Sequence, residues 1–197
     1  MNPETLKPVQ NNPVEEVYSR LHFSPSVDIV EMNQDGVLRA IIPKDVEGII
    51  EGGVEYRALF GIPSEQNRDT VLGIFKGSDG ETYISSGEDG VEPFLFRKGT
   101  KLIIGRNGMY VDMVGANGRI LRSRVDSDHS QSVIDGFGSQ TSGVQLEIYL
   151  DEEGKLDVSD HSSNGTKAIL PKSDRVAKFV NALKPSVSGS NNWPKTY

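Results

Sequence analysis

The stretch Asp160-His161-Ser162-Ser163-Asn164-Gly165-Thr166 is a turn that follows a pair of alternating strands. The second strand of this pair, residues 155–158, leads directly into the turn. The strand before that begins near Ser142 and alternates apolar with mostly polar residues, which predicts one face in a core and Gln145 on the face toward water. Its apolar positions are Val144, Leu146, Ile148 and Leu150. Ser142 and Asn164 are therefore expected at the same end of a sheet.

Short turn signals separate other β-rich segments of the chain. Asp35-Gly36 lies between Val27–Met32 and Val37–Ile42, and Asp79-Gly80 lies between residues 71–75 and 81–85. Asn117-Gly118 and Glu153-Gly154 recur further on. Such dipeptides between β-rich segments predict hairpins. Glycines 48, 52 and 53 argue against a long helix in 46–60, where residues 54–60 fit a strand. The chain is thus predicted to be mainly antiparallel β.

Two helices are predicted beside these strands. Pro13–Leu21 has proline in its first turn and two early glutamates, and residues 173–183 have Ser173 as an N-cap with apolar residues on one stripe. Residues 1–13 and 185–197 are polar, with few residues to bury, and both are predicted to be disordered tails.

Composition narrows the class of protein. The 197 residues contain no cysteine, so disulfides and thiolate metal sites are unavailable and a reducing cytoplasm is the simplest location. No segment is long and apolar enough to insert into a membrane. The net charge of −7 argues against nonspecific nucleic-acid binding, although a single phosphate responds to the local field.

The 160–166 turn has an upstream counterpart in Ile103-Ile104-Gly105-Arg106. Together the two loops offer a fixed positive charge on Arg106, hydroxyl donors on Ser142 and Ser163, and an amide on Asn164. This set of groups suits a phosphate attached to a peptide, because the guanidinium forms charge-assisted bonds and the amide pairs with a peptide backbone. The two loops are therefore expected to converge on one anion.

In order and in strand context these motifs resemble the forkhead-associated domain, over about residues 83–170. The resemblance implies a β-sandwich that reads phosphothreonine peptides without catalysis or cofactor. Arg106 would meet the phosphate, Ser142 and Ser163 would donate to it, and Asn164 would bond the peptide main chain. Gly105 and Gly165 would set the backbone shape of the loops.

Two departures from that family's pattern stand out. The family has Ser-x-x-His where this chain has Ser142-Gly143-Val144-Gln145, and that histidine mainly supports the serine loop. A glutamine also donates and accepts hydrogen bonds, so the rigidity of the loop is affected more than phosphate contact. The stretch from Arg106 to Ser142 is also longer than usual and predicts an inserted hairpin and loop.

The predicted plan is a forkhead-associated-like antiparallel sandwich over residues 81–184, ending in a short helix. It is preceded by a β-rich extension over residues 14–80, which is either a separate subdomain or extra strands of the same sandwich. The predicted function is phosphothreonine-peptide binding in signalling or scaffolding. The alternative is a structural assembly subunit with a vestigial phosphate site.

Other chemistries have weaker sequence support. Asp126, Asp128, His129 and His161 could ligate a metal, but their spacing fits a polar surface loop better. No nucleophile elbow or nucleotide loop is present, since residues 136–139 only approach the Gly-x-Ser-x-Gly pattern. We therefore predict neither a metal site nor an enzyme. The arginines of 119–124 form either a second anion patch or, as the favoured interpretation, a charged edge strand.

Overall fold

The structure is a computed structural model, and it describes residues 12–33, 37–63, 69–85, 92–125 and 141–180. Within these residues one helix precedes fourteen strands. They are α1 (Pro13–Leu21), β1 (Val27–Met32), β2 (Val37–Ile42), β3 (Ile49–Glu51), β4 (Val54–Ile62), β5 (Thr70–Lys76), β6 (Thr82–Ser85), β7 (Phe94–Leu95), β8 (Thr100–Gly105), β9 (Gly108–Val114), β10 (Ile120–Arg124), β11 (Leu146–Leu150), β12 (Leu156–Asp160), β13 (Thr166–Pro171) and β14 (Ala177–Val180).

The strands form two halves that share one core. Hydrogen bonding follows the order β10-β9-β8-β11-β12-β2-β1-β13-β4-β5-β6-β7, with β14 on β2 and β3 on β4. β1 and β2 meet through only one parallel pair, Met32 with Val37, so the path divides there. Strands of both halves supply buried residues to one cluster, among them Leu102, Ile104, Leu146, Ile148, Phe60, Leu72 and Ile74. The predicted mainly β fold is confirmed, and the shared core is consistent with a β-sandwich.

Three of the predicted hairpins are confirmed. β5 pairs with β6, β9 with β10, and β11 with β12, all antiparallel. Their turns contain Gly80, Gly118 and Gly154, whose φ angles are +86°, +74° and +84°. A residue with a Cβ would be strained at such angles, so the glycine in each turn signal serves the turn directly.

The fourth predicted hairpin is wrong, although both of its strands are correct. β1 pairs antiparallel with β13, and β2 pairs antiparallel with β12. Neighbouring strands in the sequence thus lie in different halves of the fold. Local patterning predicts which residues are extended, whereas the partner of each strand depends on contacts more than a hundred residues away.

The predicted C-terminal helix is also wrong. After Ser173 the chain makes a turn, in which the Val176 N–H donates to the Ser173 carbonyl at 3.0 Å, and then forms strand β14 against β2. The guanidinium of Arg39 lies over the Phe179 ring at 5.5 Å. The edge of β2 offers backbone partners that outweigh the helical spacing of the apolar residues. Residues 181–183 lie outside the described part.

Helix α1 is confirmed and covers the outer face of one half. The Asn12 side chain accepts from the Val14 N–H at 3.0 Å and so caps the helix. Leu21 packs in a second apolar cluster with strand residues from the β1-β13-β4 region, namely Val27, Ile49, Leu59 and Ile169. No helix in the described ranges is long and apolar enough to cross a membrane.

The strands of 14–80 and those of 81–184 belong to one arrangement. β1 and β4 flank β13, and β2 lies beside β12. Strands of the 14–80 extension are thus hydrogen-bonded to strands that follow residue 80. The predicted tails lie outside the described residues, apart from Asn12 and Pro13.

Candidate functional site

The tip of the β8–β9 hairpin brings Arg106 against residues 141–144, which we call the serine loop. The Arg106 backbone N–H donates to the Ser142 carbonyl at 2.9 Å, and its Nε donates to the Thr141 carbonyl at 3.0 Å. Both bonds are to main-chain oxygens separated from Arg106 by more than thirty residues. The hairpin tip and the serine loop are therefore fixed to each other.

The serine loop is bound in turn to the 160–166 turn. The Ser142 hydroxyl oxygen accepts from the Ser163 N–H at 2.9 Å. Arg106, Ser142 and Ser163 thus form a hydrogen-bonded chain at one end of the strands, and Arg106 and Ser163 are exposed there. Asn164 follows on the same exposed turn. The structure therefore brings together three of the four predicted binding residues by direct bonds and the fourth by adjacency.

These contacts leave specific groups for a ligand. Arg106 uses Nε internally, so its two terminal nitrogens remain as a fork, and no carboxylate of the described chain forms an ion pair with it. The Ser142 oxygen accepts from Ser163, so its own hydrogen can be donated outward. The Ser163 N–H is already bonded to Ser142, so Ser163 offers a ligand only the hydrogen of its hydroxyl. The resulting set is cationic and rich in donors, which suits a dianion.

Gln145 is hydrogen-bonded to both the serine loop and the 160–166 turn. It is fully buried, contrary to the prediction that it faces water. Its Oε1 accepts from the Ser142 N–H at 3.2 Å, while its Nε2 donates to the Gly165 carbonyl at 2.9 Å and to Thr166 Oγ1 at 3.0 Å. Strand β11 begins only at Leu146, and Val144 is exposed, so the alternation expected from 144 onward starts two residues later.

A buried carboxylate completes the network. Asp160 Oδ1 accepts from the Thr166 hydroxyl at 2.8 Å, and Oδ2 accepts from the Ser162 hydroxyl at 2.9 Å. Asp160 is only 3% exposed, so its charge is held within the turn rather than at the exposed guanidinium. Burial raises the pKa of the Asp160 carboxyl above its ordinary value, against the opposing effect of the two hydroxyl bonds.

This raised pKa has a testable consequence for stability. The folded state keeps the Asp160 proton to a higher pH than the unfolded chain, so the stabilising contribution is complete below the ordinary aspartate pKa and is lost as pH rises through the folded value. We expect the unfolding free energy of the original chain, minus that of Asp160→Asn, to fall with rising pH over the range that begins at the ordinary aspartate pKa of about 4. Urea unfolding across that range measures it. A constant or rising difference would contradict it.

Two glycines allow the loops to come this close. A Cβ on Gly105 would lie far inside contact distance of the Gly143 carbonyl oxygen and 3.0 Å from its carbonyl carbon. Gly165 has φ +82° in the turn after Asn164. The first glycine is required by the approach of two backbones, and the second by its own conformation.

Asn164 also lines a cleft. The cleft includes the carboxylates Glu31 and Asp69, together with Lys167. Lys167 forms ion pairs with Glu15 and, at 3.8 Å, with Asp69. Burial raises the pKa of the Asp69 carboxyl above its ordinary value. The charged side chains that line this cleft are thus two carboxylates and one lysine.

Of the four residues considered for a metal site, only His161 lies within the described residues. That part of the chain contains no group of three or more His, Cys, Asp or Glu placed to hold a metal ion. His161 lies 3.4 Å from a Glu147 oxygen. Residues 126–140, which contain Asp126, Asp128, His129 and the 136–139 segment, lie outside the described part.

Sequence reasoning missed several supporting residues. Thr141 is buried, and its hydroxyl donates to the Pro63 carbonyl at 2.7 Å, which anchors the serine loop to the end of β4. The Asn33 side chain donates to the Ser162 carbonyl. Both residues come from segments with no recognisable motif. Only the 160–166 stretch, where polar residues cluster after a strand, carried a signal for the buried network.

Comparison with known proteins adds no identification. No family model, no curated protein and no solved structure matches the chain.

Proposed function

We propose that the chain is a non-catalytic module that binds phosphothreonine-containing peptides and serves protein–protein signalling or scaffolding in the cytoplasm. The observation that carries the proposal is the Arg106–Ser142–Ser163 chain of hydrogen bonds, which presents an exposed guanidinium beside two serine hydroxyls. The motif resemblance points to the same residues.

In the proposed complex the phosphate lies over the serine loop. The terminal nitrogens of Arg106 supply a planar fork of charge-assisted bonds, and Ser142 and Ser163 donate their hydroxyl hydrogens to the remaining oxygens. Asn164 bonds the peptide main chain beside the phosphoresidue. Because the supporting bonds of Gln145 are already made, little ordering of the loops accompanies binding.

The alternative is a structural assembly subunit in which this site is vestigial. Its support is the exposed apolar surface of the β9–β10 hairpin, where Val114 is 70% and Ile120 is 68% exposed. One measurement distinguishes the two functions, because only the phosphopeptide-binding function requires a ligand whose binding depends on phosphate. A degenerate phosphothreonine peptide library, with matched phosphoserine and unphosphorylated libraries, provides it.

We expect Arg106→Ala to weaken the best phosphothreonine peptide by about 30- to 150-fold, because charge-assisted bonds are lost and the phosphate is left under-neutralised. Arg106→Lys should restore only part, since an ammonium cannot supply the fork. Calorimetric titration measures both.

The matched control is Arg175→Ala, which removes an exposed arginine that pairs with Asp45 away from the serine loop. Its affinity should equal that of the original chain. Equal affinity of Arg106→Ala and the original chain would overturn the assignment. Failure of every phosphothreonine peptide to bind would favour the assembly role.

A further inference from the structure

β10 lies at one end of the strand order, and its far side pairs with no other described strand. All five of its residues are exposed. The apolar ones are well exposed for their type, with Ile120 at 68% and Leu121 at 53%. An edge strand of this kind presents unpaired backbone groups and apolar surface together, and natural proteins usually protect such edges or use them for binding.

The backbone direction of each β10 residue follows from two hydrogen bonds. The Gly115 N–H donates to the Arg119 carbonyl at 2.8 Å, and the Val125 N–H donates to the Met109 carbonyl at 3.0 Å. In an antiparallel pair, residues alternate between bonding their partner strand and pointing away from it. Residues 119, 121, 123 and 125 therefore bond β9. Ile120, Arg122 and Arg124 direct their N–H and C=O groups outward from the sheet.

Each face of this edge carries an apolar side chain and at least one arginine, since Arg119 alternates onto the same face as Leu121. Arg122 and Arg124 share a face with Ile120, and Leu121 lies on the other, paired with Met113 across the hairpin. Arg122 binds Asp112 through two bonds of 2.7 and 2.8 Å. Within the described ranges, Arg119 and Arg124 form no ion pair, although the chain as a whole has a net charge of −7.

We propose that β10 is a docking edge for an extended acidic segment of a partner protein, which adds to the sheet as a further strand. Three outward donors and three outward acceptors supply the backbone bonds of such an addition. Acidic side chains of the added strand lie opposite Arg122 and Arg124, and apolar ones pack beside Leu121. The outward backbone groups thus select an extended segment, and the arginines select an acidic one.

A second copy of this chain fits the edge poorly. Antiparallel pairing of β10 with its own copy about the centre of the strand places Arg122 opposite Arg122, and like charges directly opposite each other are destabilising. The arginines therefore disfavour self-association while they attract an acidic strand. The predicted protective role of a charged edge and the proposed docking role rest on the same residues.

The first test is amide exchange and peptide titration by NMR on the full chain. In the free chain, the N–H groups of Ile120, Arg122 and Arg124 should exchange fast, and those of Leu121 and Ser123 slowly. A short blocked peptide of alternating glutamate and valine should then shift the β10 resonances and slow the three outward amides. Two peptide controls should fail, one of alternating lysine and valine and one with alternate backbone nitrogens methylated.

The charge-reversal variant Arg119→Glu/Arg124→Glu sharpens the test, because neither arginine has an ion-pair partner in the described chain to lose. It should weaken the glutamate peptide about tenfold and reverse the preference toward the lysine peptide. Arg175→Glu, an exposed site elsewhere, should change neither. Arg106→Ala should also leave the titration unchanged, which separates this edge from the proposed phosphate site.

Several results would overturn the proposal. Slow exchange of the outward amides in the free chain would mean that the edge is already covered, either by this chain or, if concentration-dependent, by a second copy. The proposal would also be overturned by resonance shifts confined to Arg106 and the serine loop, or by the absence of any resonance shift at millimolar peptide.

Discussion

Gly105→Ala is expected to lower the unfolding free energy by about 3 kcal/mol, at the upper end of the range for overpacking, and to abolish phosphothreonine-peptide binding. The added methyl would overlap the Gly143 carbonyl, which is backbone and cannot swing aside as a flexible side chain can. Relief requires the serine loop to move away from the β8–β9 hairpin. That movement breaks the bonds from Arg106 to Ser142 and Thr141, so stability and the site are lost together.

Gly143→Ala is the matched control for this prediction. It lies across the same contact, but an added Cβ would meet nothing within 4 Å. Its unfolding free energy should remain within about 1 kcal/mol of the original chain, on either side. Urea unfolding and calorimetric titration of both variants measure the contrast. If Gly105→Ala and Gly143→Ala prove equally stable and bind equally, the close approach of the two loops does not hold in solution.

The sequence predicted most strands because each is defined by its own residues. Leu146, Ile148 and Leu150 show the inward positions of β11 without reference to any partner. Pairing depends on distant segments, and here the prediction failed, since the β1 and β2 segments read as a hairpin although their partners lie near residues 156–171. Likewise, helical spacing at 173–183 did not reveal the free edge of β2 that converts part of it into β14.

The candidate site was predictable to the extent that its residues lie in motifs. Strand alternation alone was enough to expect Ser142 and the 160–166 turn at one end of a sheet, whereas Arg106 was assigned to that end by its motif; the structure has all three there. The buried hydrogen bonds that hold these loops in place were not predictable. The role of Gln145 arises because the alternation shifts at the start of β11, and strand periodicity gives no warning of such a shift.

Gln145→Met is expected to destabilise the chain by about 3 to 5 kcal/mol, more than a typical core substitution of similar volume. The methionine fills nearly the same space, so packing is largely kept. What is lost is hydrogen bonding, because the Ser142 N–H and the Gly165 carbonyl lose their side-chain partner and Thr166 Oγ1 loses a donor. Each buried group left unsatisfied costs about 1 to 3 kcal/mol. The serine loop and the 160–166 turn should then move independently and peptide affinity should fall.

Two further variants test whether the bonds or the volume matter. Gln145→His keeps one donor and one acceptor, as in the family that the motifs resemble, so it should retain more stability and affinity than Gln145→Met. Glu147→Met is the control on the same strand, where the exposed partners Lys101 and His161 make the expected change about 0.5 kcal/mol or less. Chemical unfolding gives the order of stability, and titration with one phosphothreonine peptide gives the order of affinity. Equal stability of Gln145→Met and Glu147→Met would show that the glutamine bridge does not hold the two loops together, and Arg106 would then need another source of preorganisation.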